Sequence, residues 1–350
     1  MKNNEKPTKN RKTIEKKAKK EDPDENTPKE PMKNNEKPTK NRKTIEKKAK
    51  KEDPDENTPK EPKYGPMPKL PNHRLWTRGV MVLSVMVVLY FTSHKGREVI
   101  LAKQSEPTHH RGQHVHCSDD YKAELQKFPG CVPEQCGRII SDGLVSAREA
   151  RDLLDLAKIG MSLGGSKGGA TILDLHSGAL SLGTNFVNVY SLPKASETFS
   201  AKEFALYKAV RTKIHHAVAH HFGVDATALH LTHPTFFSRL TAEEPQTDND
   251  QYWHPHVDKE TYEAFHYTSL LYLNDFSIDF QGGRFIFLDQ DSTNRTVEPR
   301  KGRVSMFTSG SENRHMVERV TSGERFALTV SFTCNTAAAI SDPAPKVQSS

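Results

Sequence analysis

YWHPHVD, residues 252–258, sets two histidines around a proline and follows them with an aspartate. On an extended strand alternate side chains share a face, so His256 and Asp258 are expected to point the same way. A third ligand is available in ENRHMVERV, residues 312–320, where His315 stands shortly after the apolar run VSMF at 304–307. Two neutral imidazoles and one carboxylate on one side of a metal leave the opposite positions open. That arrangement suits non-haem Fe(II), which must take up a co-substrate together with dioxygen. His254 shares the face but precedes Pro255, and is assigned to the rim of the site as a neighbour of the ligands or a substrate contact.

Such a triad needs a rolled sheet to bring its members together, and the flanking sequence offers one. LHLTHPTFFSRL (229–240), FHYTSLLYLND (265–275), GGRFIFLD (282–289), RVSMFTSG (303–310) and RFALTVSFTCN (325–335) alternate or run apolar between turn residues. Two helices precede them. SAREARDLLDLAK (146–158) opens with a capping box at Ser146 and Glu149. SAKEFALYKAVRTKIHHAVAHHFG (200–223) repeats the device at Ser200 and Glu203 and stops at Gly223. Helices first and many strands later predict an α+β domain whose sheets form a sandwich or barrel. His216 and His220 lie four apart on the second helix, a zinc-chelating spacing, but no glutamate adjoins them and a wet surface is the simpler reading.

On RFALTVSF alternation sets Arg325, Ala327, Thr329 and Ser331 against Phe326, Leu328, Val330 and Phe332. The apolar face should pack on the helices, which turns Arg325 into the barrel. A guanidinium there requires an anion, and its planar fork suits a carboxylate. The same rule places Thr268, Leu270 and Tyr272 on one face of TSLLYLND, where Thr268 and Tyr272 can meet that ligand.

His256-x-Asp258, Tyr272, Gly282-Gly283, Pro299-x-x-Gly302, His315 and Gly323-x-Arg325 resemble the 2-oxoglutarate- and Fe(II)-dependent dioxygenases of the prolyl 4-hydroxylase class. The match runs from about Ile139 to Asn335. SLGGSKGGATILDLHSGALS, PTFFSRL and GRVSMFTSGSEN resemble a membrane-anchored branch of that family more closely still. The resemblance implies a double-stranded β-helix (jelly roll) packed against helices. It implies iron held by His256, Asp258 and His315, and 2-oxoglutarate held through its distal carboxylate by Arg325 and Tyr272. It also implies hydroxylation of a substrate side chain with release of succinate and CO2, with ascorbate as a candidate auxiliary. The chain departs from the collagen-type enzymes, which have lysine where Arg325 stands and a shorter approach to the first histidine than FFSRLTAEEPQTDNDQYW. That leaves the hydroxylated residue type open.

The N-terminal third is of another kind. Residues 1–31 recur letter for letter as 32–62, each copy holding ten Lys/Arg and seven Asp/Glu with almost no large aliphatic. Such composition cannot bury a core, and residues 1–74 are expected to be a disordered basic tail. Residues 1–78 carry 24 Lys/Arg against 14 Asp/Glu and the remainder 27 against 30, so the overall +7 describes the tail and gives no reason to expect nucleic-acid binding by the folded part. GVMVLSVMVVLYFTS (79–93) has no charge. Counted from Leu75, with Arg78 snorkelling outward, residues 75–93 are long enough for a signal anchor across a thin membrane.

Lysine and arginine flank that segment almost evenly, four before and three after in sixteen residues each way. All four cysteines (Cys117, Cys131, Cys136, Cys334) and the sequon at Asn294 follow it, which predicts a type II protein with its domain in the lumen of the endoplasmic reticulum or Golgi. Four cysteines allow three pairings. The expected order is then a stalk at 94–116, a cysteine-containing lead-in at 117–138, the dioxygenase domain at 139–335 and a disordered tail at 336–350. The expected partners are the membrane and a lumenal protein substrate. FVNVYSLPKASETFS (186–200) and EEPQTDNDQYW (243–253) are candidate lid or substrate loops. Two rival readings are a glycosyltransferase holding Mn²⁺ at Asp248-Asn249-Asp250 or Asp289-Gln290-Asp291, and an inactive binding module on the same barrel.

Overall fold

A computed structural model describes residues 71–93, 97–192 and 198–344. The tail at 1–70, with its duplication, lies outside the described residues, as do 193–197 of the first candidate lid and 345–350. The first element is helix α1, His73–Ser93. Its stretch His73–Thr92 is long and apolar enough to cross a membrane, and its side chains from Leu75 to Phe91 stand uncovered.

Strands β1 (Arg97–Ala102), β2 (Arg111–Val115) and β3 (Cys136–Ser141) come next. Helix α2 (Ala147–Met161) is followed by β4 (Ala170–Leu173), β5 (Ala179–Leu182) and β6 (Asn185–Asn188). Helix α3 (Ala201–Phe222) leads into β7 (His230–Thr241) and a single helical turn, α4 (Asp258–Thr261). The chain then runs through β8 (Tyr267–Tyr272), β9 (Phe280–Gly282), β10 (Phe285–Leu288) and β11 (Thr293–Val297). It ends in β12 (Val304–Thr308), β13 (His315–Val317) and the long β14 (Val320–Thr333).

Two sheets face each other as a jelly roll. The larger has the order β2-β3-β12-β8-β14-β7-β4-β5-β6, with β9 paired to β14, and the smaller is β1-β11-β10-β13. Between them Ile140, Leu270, Tyr272, Phe307 and Ala327 of the large sheet meet Ala102, Phe285, Phe287 and Val297 of the small one. On the outer side of the large sheet, Leu153, Leu154 and Ala157 of α2 and Phe204, Tyr207, Val210, Ile214 and Val218 of α3 cover Phe326, Leu328, Val330 and Phe332. The alternation expected on β14 is therefore present in the fold. Both helices begin at their capping boxes, and α3 ends at Gly223 in the left-handed conformation.

The stretch expected to be a free stalk is built into the sheets. Arg97–Ala102 pairs in parallel with β11, and Arg111–Val115 pairs with β3. REVILA supplies a buried Ala102 and a ladder of backbone pairs to β11, which an isolated polar linker cannot have. The folded region thus begins at Arg97, about 20 residues before the expected lead-in at 117 and about 40 before the expected domain boundary at 139. Its C-terminal side also reaches further than expected: Ile340 N–H donates to Leu231 O, and Asp342 pairs with Arg211. Two disulfides, Cys117–Cys136 and Cys131–Cys334, resolve the three possible pairings. The second ties the lead-in to the end of the last strand.

Candidate active site and metal centre

Between the sheets lies a cavity of about 500 Å3. His256, Asp258 and His315 reach it together, their ligand atoms all within 4.8 Å of one another. His315 opens β13, opposite Phe287 of β10. His256 is bound to it as the next rung, with His256 N–H to His315 O at 2.9 Å and the reverse bond at 3.0 Å. The two residues of the His-x-Asp motif do not lie on one strand, however. Val257 is extended (φ −118°, ψ 126°), and Asp258 starts the turn α4. The alternation carries as far as Val257, and the turn then swings the carboxylate inward.

Each histidine donates Nδ1–H to a backbone carbonyl two residues upstream: His256 to His254 O at 3.0 Å and His315 to Asn313 O at 2.8 Å. A carbonyl only accepts, so Nδ1 carries the proton and the Nε2 lone pair is left for a metal. Both Nε2 atoms lie 3.6 Å from Asp258 Oδ1. Phe285 stacks on His315 with centroids 4.9 Å apart, and Phe307 meets it edge-on. Burial pushes the His315 imidazole down to about 4, against the pull of Asp258 toward the charged form. The ring is accordingly neutral at physiological pH, as ligation requires.

Arg325 points into the same cavity and is almost fully buried. Its Nε donates to Gly283 O at 2.8 Å, its Nη2 has no partner, and among the described residues no carboxylate pairs with it. Burial lowers its pKa, while Tyr272 and Tyr252 oppose that shift. A buried guanidinium with an idle donor is costly unless an anion completes it. Gly283 has φ +65°, and a Cβ there would lie 2.9 Å from Arg325 Cδ. The Gly282-Gly283 pair thus makes room for the arginine stem and aims a carbonyl at it.

The remaining predicted residues divide. Tyr272 lies beneath Arg325, with the guanidinium 5.5 Å from its ring centroid, but its hydroxyl is 3.3 Å from Ser305 Oγ and the side chain is not on the cavity wall. Thr268 does line the cavity, yet its hydroxyl is committed to Asp258 Oδ2 at 2.6 Å. His254 is exposed at the mouth, bonded to Gln251, and its carbonyl orients His256. Asn294 sits half-buried in β11 between β1 and β10, and Thr296 of its sequon is buried on Glu98. A paired strand is a less accessible acceptor for glycan than a loop. His216 and His220 are exposed on α3 and belong to no ligand cluster among the described residues.

A family model described as the 2OG-Fe(II) oxygenase superfamily matches residues 245–333. Over 246 residues the chain is 54% identical to 2-oxoglutarate and iron-dependent oxygenase domain-containing protein 3 of Xenopus tropicalis, which covers 70% of this chain and 77% of that protein. The chain belongs to the 2OG-Fe(II) oxygenase superfamily. The Homo sapiens protein of the same name is 47% identical over 283 residues, 77% of this chain and 88% of that one. Prolyl 3-hydroxylase 1 of Gallus gallus is 31% identical over 213 residues, 56% of this chain and 29% of that protein.

The geometry agrees with membership among the 2OG-Fe(II) oxygenases. The two-histidine, one-carboxylate donor set suits Fe(II), and the unpartnered Nη2 of Arg325 in the same cavity suits the distal carboxylate of 2-oxoglutarate. The DxD stretches are otherwise engaged. Asp250 is buried and accepts from Ser166, Gln246 and Thr247, while Asp289 is paired with Arg138 and Arg295. The first of these pins the long acidic approach to the SKGG loop: a Cβ on Gly168 would lie 1.9 Å from Asp250 Oδ2. The contributors to which the sequence assigned no role are Gly283 O, Asn313 O, Ser309 and Tyr252. Tyr252 bridges Thr241 O and Val320 N–H at the cavity wall.

Proposed function

We propose that this oxygenase is a single-pass membrane enzyme that hydroxylates a side chain of a protein in the secretory lumen. The observation that carries the chemistry is the unpartnered, buried Arg325 Nη2 facing the His256–Asp258–His315 cluster across one cavity. The apolar length of α1 and the placement of both disulfides after it support the anchor and a lumenal, oxidising side. Prolyl hydroxylase kinship supports a protein substrate.

In this reading His256, Asp258 and His315 hold iron. Arg325 takes the distal carboxylate of 2-oxoglutarate, with Tyr272 beneath it. The bound pair supplies oxidative chemistry: 2-oxoglutarate is decarboxylated to succinate and CO2 while dioxygen delivers one atom to a substrate C–H bond. The chain's own part is positional. The carbonyls of His254 and Asn313 fix the ligand rings. Phe285, Phe307, Leu270 and Val317 line the interior with hydrocarbon and limit water near the reacting centre. Ascorbate is an auxiliary reductant in the same proposal.

Purified full chain with Fe(II), 2-oxoglutarate and a lumenal protein extract should release succinate, and Arg325→Ala should stop it. Normal turnover by the arginine variant would sink the co-substrate assignment. Protease protection of the C-terminal domain in sealed microsomes tests the orientation; digestion of that domain without detergent would reverse it.

A further inference from the structure

We infer that Thr268 is a positioning residue that restricts Asp258 to one metal-facing oxygen. The Thr268 hydroxyl donates to Asp258 Oδ2 at 2.6 Å and lies 2.9 Å from Ser309 Oγ. A hydroxyl has one proton, so with Thr268 donating to the carboxylate the second contact is donated by Ser309. Both residues are buried. Ser309 is itself fixed through its backbone: its N–H donates to His266 O, and its carbonyl accepts from Lys259 N–H, the amide next to Asp258. The relay Ser309–Thr268–Asp258 therefore engages Oδ2, while Oδ1 lies 3.6 Å from both histidine Nε2 atoms.

The consequence concerns vacant positions. A carboxylate can bind a metal through one oxygen or two. With one, the triad leaves a whole face of an octahedral ion open, enough for a chelating keto acid and a further small molecule. With two, a chelating keto acid completes the shell and nothing else can enter. A hydroxyl that holds Oδ2 in a hydrogen bond keeps the last position available. This inference rests on the reading of the triad as the iron site, and it adds a role that the sequence placed elsewhere, on the co-substrate.

The test uses full chain loaded with Mn(II) and saturated with 2-oxoglutarate in water enriched in oxygen-17, read by broadening of the manganese EPR lines. The wild type should show one bound water. Thr268→Val, close in shape but without the hydroxyl, should lose it while still binding Mn(II) and 2-oxoglutarate, and Thr268→Ser should keep it. Should Thr268→Val fail to fold, Thr268→Ala carries the same comparison. Unchanged broadening in the valine or alanine variant would overturn the role of Thr268, as would loss in the serine variant, which would point to packing by the methyl group. Failure of the wild type to bind Mn(II) at all would overturn the metal-site reading as well, so the two failures are distinguishable.

Discussion

The two faces of β14 do different work. Phe326, Leu328, Val330 and Phe332 look outward onto α2 and α3 and are nearly or fully buried in the larger core. Arg325, Ala327 and Thr329 look inward, where the same strand supplies a guanidinium with an unpartnered Nη2 and the small Thr329 to a cavity. The outer face buries hydrocarbon, at roughly 1.5–3 kcal/mol for each large side chain. The inner face gives up that gain to keep space and an idle guanidinium. One strand thus separates stability from chemistry by the pleat alone, and substitutions on its two faces should have separable effects.

The largest effect is expected on the inner face. Arg325→Ala should weaken 2-oxoglutarate binding by about 3–4 kcal/mol, some hundred- to thousandfold, because it removes the charged partner of a buried carboxylate. Without co-substrate the variant should be as stable as the wild type or more so, since burial already penalises this guanidinium. Titration of Mn(II)-loaded chain with 2-oxoglutarate, alongside urea unfolding without it, checks both halves. A destabilised variant with intact affinity would erase the distinction between the faces. The converse substitution is Leu328→Ala on the fully buried outer face, expected to cost about 3 kcal/mol in urea unfolding. Its affinity for 2-oxoglutarate should be unchanged wherever the protein remains folded.

Acid should act through the cavity that the inner face of β14 looks into, at His315 on the opposite sheet. In the unfolded chain a histidine titrates near 6.5, whereas burial holds His315 at about 4 in the fold. Between those values the unfolded state binds more protons, so this contribution to stability is complete above pH 6.5 and is lost as pH falls toward 4. For metal-free protein the expected slope from His315 is about 1.4 kcal/mol per pH unit, on the order of 3 kcal/mol across the window. His315→Gln should flatten that slope, while Leu328→Ala should lower the curve and leave its slope alone. Urea midpoints at pH 7 and pH 5 decide between these patterns.

Regular alternation made much of this readable from the sequence. It assigned the faces of β8 and β14 and the inward aim of Arg325, and the capping boxes at Ser146 and Ser200 marked where α2 and α3 begin. What escaped was set by partners distant in sequence. β1 reads as stalk because its six residues become a strand only by pairing with β11, nearly 200 residues away. The hydroxyl of Thr268 faces the cavity as expected, but its partner is decided by the turn that carries Asp258 and by Ser309 beyond the end of β12. The cysteine pairing depends on the lead-in meeting the end of β14, which no local pattern encodes. Periodicity reports which way a side chain points; the closed fold decides what it meets.

Gly283 offers the smallest and finest test of the division between faces, because it touches the chemistry only through Arg325. Its φ of +65° costs an alanine about 1–2 kcal/mol, and the added Cβ would press on Arg325 Cδ at 2.9 Å and Val320 Cγ2 at 3.0 Å. The arginine stem can yield by a few tenths of an ångström, and its Nε would then lose alignment with Gly283 O. Gly283→Ala should therefore lower stability modestly and raise the Kd for 2-oxoglutarate several-fold. Mn(II) affinity should stay unchanged, since the atoms nearest the added Cβ belong to Arg325, Val320 and Phe280 and not to His256, Asp258 or His315. Isothermal titration of each ligand separates the two sites. A parallel loss of metal and co-substrate binding would mean that the cavity responds as one unit rather than as an anion clamp beside an independent metal cluster.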